Sequence, residues 1–128
     1  MWKLAATDGY ERRHKRYVKD HPRELQAVLD NLDTYVQSLQ AGVKPPQIRH
    51  GFMHAEPLGV VAIDQKGGGK SLAQTRLYVY PDTETETLHV ISLGDKRSQA
   101  DDIANCRTFV NDLRKERQDT DEEANPAQ

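Results

Sequence analysis

Cysteine is nearly absent from this chain of 128 residues, since Cys106 is the only one. A single cysteine excludes an internal disulfide and therefore the small, disulfide-stabilised secreted domains. Long apolar runs are missing as well, because no stretch approaches the roughly 20 residues that a membrane-spanning helix needs. Residues 1–9 are too short, and too soon charged, for a secretory signal. We therefore expect a cytoplasmic protein without a membrane segment.

A strong excess of either charge is also missing, because the formal net charge is only −2. Balanced charge by itself argues against a nucleic-acid-binding protein. The charges are unevenly distributed, however, with a sum of +4 over residues 10–23 and −3 over residues 117–128. A solvated helix face and a frayed terminus would explain both features equally well. We expect one domain over residues 1–116 and an acidic, disordered tail over residues 117–128.

Apolar periodicity predicts the elements of the first half of the chain. Residues 2–6 suit a short strand, and Thr7 or Asp8 can cap the helix that follows. Pro22 fits the first turn of a second helix, which Gly42 closes. Apolar residues recur in that helix at steps of three and four: Leu25, Val28, Leu29, Leu32, Val36 and Leu39.

The second half of the chain has the alternation of β-strands. Short strands are predicted at residues 52–55, 58–63, 75–80 and 88–93, with a flexible polar connection over residues 64–70. A last helix begins at Ser98 or Asp101 and carries apolar residues as far as Leu113. The predicted fold class is α+β, with an antiparallel-rich sheet and helices packed on one of its faces.

Three short motifs that suggest chemistry have simpler explanations. Residues 69–71 end like a phosphate-binding loop, but that motif needs glycine where Asp64 stands, and a strand follows instead of a helix. His50 and His54 have a metal-ligand spacing but lie in a non-helical stretch without a carboxylate partner pattern, so we expect no metal. Cys106 falls on the apolar face of the last helix and is predicted to be a buried thiol.

Four cationic or imidazole side chains lie along or just after the last two predicted strands: Arg76, His89, Lys96 and Arg97. Cleavage of RNA at a 2′-hydroxyl needs a base, an acid for the leaving oxygen and cations that offset the phosphorane charge. Arginine, histidine and lysine supply these functions. If the two strands pair through a turn at residues 81–87, Arg76 and residues 94–97 lie at one end of the sheet. His89 then lies nearer the turn.

Each of these residues, taken alone, has an alternative role. A surface salt bridge is the ordinary function of an exposed Arg or Lys, and Asp95 and Asp101 are local partners. Tyr78 and Tyr80 lie on the same face of the strand as Arg76, where an aromatic ring can stack on a base. Core packing is the alternative for at least one of the two tyrosines.

With these residues placed, residues 2–114 resemble the RelE/ParE superfamily of bacterial toxins. The resemblance rests on the paired N-terminal helices, on residues 75–80 and on residues 88–99 followed by Asp102 and Ile103. It implies a RelE-like fold, with two N-terminal helices packed on a small sheet and a C-terminal helix. It also implies metal-independent cleavage of mRNA on the ribosome, without a cofactor. A cognate antitoxin would neutralise the toxin, and the complex would bind operator DNA.

The resemblance implies roles for individual residues. Arg76 matches the arginine of the family's central strand, and Lys96 and Arg97 match the basic pair after its last strand. The predicted catalytic set is Arg76, Lys96, Arg97, His89 and Tyr80, of which His89 or Tyr80 would carry protons. The predicted RNA-binding set is Lys66, Lys70, Arg12, Arg13 and Arg16. Two alternatives stay open, a gyrase-inhibiting toxin of the same fold and a catalytically inactive binding module.

Overall fold

Five strands form one mixed sheet in the computed structural model, which describes residues 1–124 of the chain. The strands are β1 (Lys3–Ala6), β2 (Met53–Ala55), β3 (Val61–Asp64), β4 (Thr75–Asp82) and β5 (Thr87–Asp95). The same residues contain three helices, α1 (Asp8–Asp20), α2 (Pro22–Gln40) and α3 (Gln99–Ala124). Short 3₁₀ turns occupy Pro45–Gln47 and Pro57–Gly59. This content confirms the predicted α+β class.

The strand order in the sheet is β1-β5-β4-β3-β2. β1 runs parallel to β5, and every other pair of neighbours is antiparallel. The chain therefore crosses from one edge of the sheet to the other through α1 and α2, and then returns as a meander. The last two strands pair through the predicted turn.

α1 and α2 begin where the sequence predicts. The Thr7 hydroxyl caps α1 by accepting a hydrogen bond from the Tyr10 N–H at 3.0 Å. Pro22 is the first residue of α2. The apolar sides of both helices cover one face of the sheet in a buried cluster that includes Tyr17, Val28, Tyr35, Leu39, Ile63, Leu77, Val79, Val90 and Leu93.

α3 packs on the opposite face of the sheet, so the prediction that all helices share one face is wrong. Its buried cluster contains Val60, Ala62, Tyr78, Ile91, Cys106 and Val110. The physical reason is that the middle of β4 is apolar on both sides, and a sheet with two apolar faces needs two covering layers. Cys106 is buried as predicted, and burial raises the pKa of its thiol to about 12.

α3 also continues beyond the last periodic apolar residue, to Ala124. Residues 117–124 are helical in the structure, where the sequence predicts a disordered tail, and residues 125–128 lie outside the described part of the chain. Polar contacts replace apolar periodicity here, since Arg117 Nη2 donates to Asp82 Oδ2 at 2.6 Å. Arg117 Nε also lies 2.9 Å from Glu84 Oε2. Within residues 1–124, no helix has the length and apolar character that crossing a membrane requires.

The connection between β3 and β4 is attached to α2, whereas the sequence predicts a flexible loop. Asn31 Nδ2 donates to the carbonyls of Asp64 and Lys66, both at 2.9 Å. Gly68 packs so closely against Ala27 that a Cβ at position 68 would overlap the Ala27 methyl group. Glycine is needed here for close approach to the helix, which the composition of the loop could not distinguish from flexibility.

Candidate nucleic-acid interface

The turn between β5 and α3 is built around one buried carboxylate, Asp102. Ser98 Oγ donates to Asp102 Oδ2 at 2.7 Å, and the Asp102 side chain has no exposed surface. Position 94 is glycine because a Cβ there would overlap both Asp102 Oδ2 and Ser98 Oγ. Lys96 and Arg97 are exposed between these anchors. The turn is therefore a fixed support that presents two cations to the solvent.

α1 is joined to the same support across the edge of β5. Only the first part of β5 pairs with β1, and α1 side chains satisfy carbonyls beyond it. Thr7 Oγ1 donates to the Ile91 carbonyl and Arg13 Nη1 donates to the Leu93 carbonyl, both at 2.7 Å. Arg13 Nη1 also lies 3.6 Å from Asp102 Oδ1. Arg13 therefore serves partly as a structural residue.

A groove of about 440 Å³ separates α1 from α3. We call it the α1–α3 groove. One side is lined by three arginines of α1, Arg12, Arg13 and Arg16, and the other by polar residues of α3, Asn105, Thr108 and Asp112. The side chains of Arg12 and Arg16 are exposed. The three arginines predicted to bind RNA therefore share one surface.

Cations converge at one end of the sheet, which we call the basic end: Arg16, Lys66, Lys70, Arg76, Lys96 and Arg97. The register pairs Arg76 with Gly94, so the start of β4 and the end of β5 meet there, as predicted. The connection that carries the two lysines leaves β3 and enters β4 at this end. Arg16 lines a small cavity together with Asp95 and Ser98 of the β5–α3 turn.

Arg76 forms a long ion pair at the basic end. Its Nη1 lies 3.7 Å from Glu56 Oε1, and 20% of its side chain is exposed. Among the described residues its Nε is buried without a hydrogen-bond partner. A guanidinium has five N–H donors. Most of the donor capacity of Arg76 is therefore not used by the described residues.

Polar side chains of two neighbouring strands lie beside Arg76 on the same side of the sheet. The register places Asp64 of β3 directly opposite Arg76, and both point to the α3 side of the sheet. His54 of β2 lies on the same side, and its Nε2 is 2.6 Å from Asp64 Oδ2. The His54 side chain is 36% exposed. Sequence reasoning considered His54 only as a metal ligand and missed this pair.

Two of the predicted catalytic residues lie away from Arg76. Tyr80 is four residues beyond Arg76, which is about 13 Å along a strand. Its ring stacks on His89 with centroids 6.3 Å apart, and His89 also contacts Phe109. Burial lowers the pKa of His89, and its Nε2 is buried without a partner among the described residues. Tyr78, between Arg76 and Tyr80, is fully buried, so core packing is its role.

A cleft of about 640 Å³ runs along the outer side of β2 and extends to Tyr80. His54 and Glu56 line it together with Tyr80, and Arg49 and Arg114 add positive charge. Its volume is in the range of small-molecule and nucleotide sites. Within the described residues, no group of three or more His, Cys, Asp or Glu side chains is arranged to hold a metal ion.

No family model, no curated protein and no solved structure matches this chain.

Proposed function

We propose that this protein is a RelE-like toxin of a type II toxin–antitoxin system, an endoribonuclease that cleaves mRNA on the ribosome. The observation that carries the proposal is the basic end, where cations from α1, the β3–β4 connection, β4 and the β5–α3 turn come together. The resemblance assigns several of these side chains to RNA contact or cleavage. Their convergence from four separate parts of the chain supports a common function.

The separation of charge along the molecule supports binding to a polyanion. α3 begins at the basic end and its 26 residues extend about 39 Å. Its last turns carry Asp119 and Asp121, far from the cations. A protein with a net charge of −2 can therefore present a positive surface to RNA while its acidic end points away.

The unpaired state of the cations supports the same function. Among the described residues, neither Lys96 nor Arg97 forms a side-chain ion pair or hydrogen bond, and the same holds for Arg12 and Arg16. A cation that serves only the fold is usually paired, as Arg117 is. Unpaired arginines next to each other are suited to phosphate, which they can bind through two N–H donors.

The proposal also names the partners. The ribosome with its mRNA would meet the basic end, and a cognate antitoxin would neutralise the toxin. The toxin–antitoxin complex would bind operator DNA. No cofactor is required, because proton transfer and phosphate binding by side chains suffice for cleavage at a 2′-hydroxyl.

The test is expression of the wild type and of Arg76→Ala/Arg97→Ala from a tightly controlled promoter, with mapping of new RNA 5′ ends. We expect growth arrest and cuts inside translated codons for the wild type, and neither for the variant. Arg107→Ala/Lys115→Ala, which removes two exposed cations of α3, is the matched control and should cut like the wild type. Because Arg76→Ala leaves Glu56 without its partner, unfolding of the purified variants must be compared.

Two results would contradict the proposal. Growth arrest with DNA-damage signalling and no new RNA ends would favour the gyrase-inhibiting alternative. The absence of both arrest and cleavage would favour an inactive binding module. Persistent cleavage by the folded Arg76→Ala/Arg97→Ala variant would remove these two residues from the active site.

A further inference from the structure

We infer that His54, oriented by Asp64, is the base that removes the 2′-hydroxyl proton of the RNA; this inference rests on the proposed nuclease function. The sequence suggests His89 or Tyr80 for proton transfer, but both lie toward the opposite end of β4 and β5. His54 is paired with Ala62 of β3 and reaches Asp64 two residues along that strand, and Asp64 lies directly opposite Arg76. The base and the phosphate-binding arginine would then belong to one surface.

The hydrogen bond to Asp64 defines how His54 can act. Its Nε2 lies 2.6 Å from Asp64 Oδ2, so the neutral imidazole donates its Nε2–H to the carboxylate. The lone pair is then on Nδ1, and Nδ1 has no hydrogen-bond partner among the described residues. Asp64 also accepts a bond at its other oxygen, since the Lys66 N–H donates to Oδ1 at 2.7 Å. The carboxylate is therefore fixed, and it fixes the ring.

The other histidines lack this combination of features. His14 Nδ1 lies 2.9 Å from the Tyr10 hydroxyl, and His50 Nε2 lies 3.1 Å from Ser38 Oγ. The ring of His21 contacts that of Tyr17 in a tilted arrangement, where α1 ends. In the described chain only His54 is bound through one nitrogen by a carboxylate while its ring lines a cleft. A base oriented by a carboxylate is a recurrent arrangement in proton transfer.

The chemical step is a transesterification within the RNA. The 2′-oxygen attacks the adjacent phosphorus while His54 Nδ1 accepts the hydroxyl proton. The bond between phosphorus and the 5′-oxygen breaks, and that oxygen takes a proton from water. The products are a 2′,3′-cyclic phosphate and a 5′-hydroxyl, and the imidazolium returns its proton to the solvent. Arg76 would offset the charge that develops on the phosphorane.

The first experiment measures single-turnover cleavage of a reporter mRNA on programmed ribosomes with purified protein. We expect His54→Ala to lower the rate by about 10²- to 10⁴-fold, the usual contribution of a general base. Added imidazole should restore part of the rate for His54→Ala and should not accelerate the wild type. His50→Ala, which removes a histidine of the same segment, is the matched control and should retain the wild-type rate.

A second variant tests the role of Asp64 as a positioning residue. We expect Asp64→Asn to lower the cleavage rate at saturating ribosomes and to leave the ribosome concentration for half-maximal rate unchanged. This split would place the effect on the chemical step, provided that an unchanged unfolding temperature excludes loss of folded protein as its cause.

The possible results separate the inference from the proposed function. If the wild type cuts no RNA, the proposed function fails. If the wild type and His54→Ala cut at equal rates, only the assignment of His54 is wrong. Loss of activity that imidazole does not restore, with a lowered unfolding temperature, would show a structural role and would also overturn the inference.

Discussion

The two ends of the sheet use charge in opposite ways. At the basic end, the buried carboxylate of Asp102 holds the backbone, and among the described residues the exposed cations Lys96 and Arg97 form no ion pair. At the other end, which we call the turn end and which contains the β4–β5 turn and Arg117 of α3, charges are paired with one another. Arg117 bonds both Asp82 and Glu84 there.

Charged side chains stabilise the fold at the turn end, whereas the exposed cations at the basic end are available to bind a ligand. Ion pairs at the turn end join α3 to the sheet where apolar contacts have ended. At the basic end the same task is performed by hydroxyl groups and one carboxylate under the surface, so the surface cations are not needed for folding. This division is what allows substitutions to test stability and binding separately.

The largest expected effect is on the support of the basic end. Asp102→Ala removes the acceptor of the Ser92 and Ser98 hydroxyls and leaves Arg13 without its carboxylate. We expect the free energy of unfolding to fall by about 2–4 kcal/mol. Denaturant unfolding measures it. Asp101→Ala, at the exposed neighbouring position, should change stability by less than about 0.5 kcal/mol. Equal effects of the two variants would mean that the network does not hold the turn.

A smaller effect is expected on RNA binding from the cations above that support. Arg12→Ala/Arg16→Ala should weaken binding of single-stranded RNA about tenfold and reduce the salt slope of log Kd by about 1.4, at about 0.7 per phosphate contact. Fluorescence anisotropy over a range of salt concentrations measures both. Arg107→Ala/Lys115→Ala removes the same charge from α3 and should keep the wild-type slope. If both double variants had the same salt slope of log Kd, net charge alone, and not the position of the arginines, would determine RNA binding.

The smallest expected effect is at the turn end, where Arg117→Ala should cost about 1 kcal/mol of stability at neutral pH. Burial by itself raises the pKa of Asp82, but hydrogen bonds from Arg117 and Thr85 outweigh it and hold the pKa below the ordinary value of 3.8. A carboxylate whose pKa is lower in the folded protein than in the unfolded chain stabilises the fold above the unfolded pKa. This stabilisation is lost as the pH falls through the folded pKa. The difference between wild type and variant should therefore shrink below about pH 4.

Urea unfolding at pH 7 and at pH 3 measures the difference in stability between the wild type and Arg117→Ala. The control variant Lys115→Ala should have the stability of the wild type at both pH values. A difference between wild type and Arg117→Ala that is as large at pH 3 as at pH 7 would exclude the ion pair as its cause.

Local signals predicted the element order and part of the site. Thr7 and Pro22 mark helix starts that depend on neighbouring residues alone, and the turn after β4 placed Arg76 and residues 94–97 at one end of the sheet. The pairing of His54 with Asp64 could not be predicted, because it joins residues of different strands through a register. The sequence contained only a weak signal of this pair, namely a histidine in one short strand and a carboxylate at the end of the next strand.

The amino-acid sequence by itself determined the α+β class, the helix starts and the residues that carry positive charge, because periodicity, capping and composition act over a few residues. Only the tertiary structure decided that α3 covers the second face of the sheet, that Arg117 extends the last helix, and that Arg16, Lys66 and Lys70 lie at the same end of the sheet as Arg76. These features depend on which strands are neighbours and on which face each side chain lies. Contacts between distant parts of the chain therefore decided which charges are paired and which, among the described residues, remain unpaired.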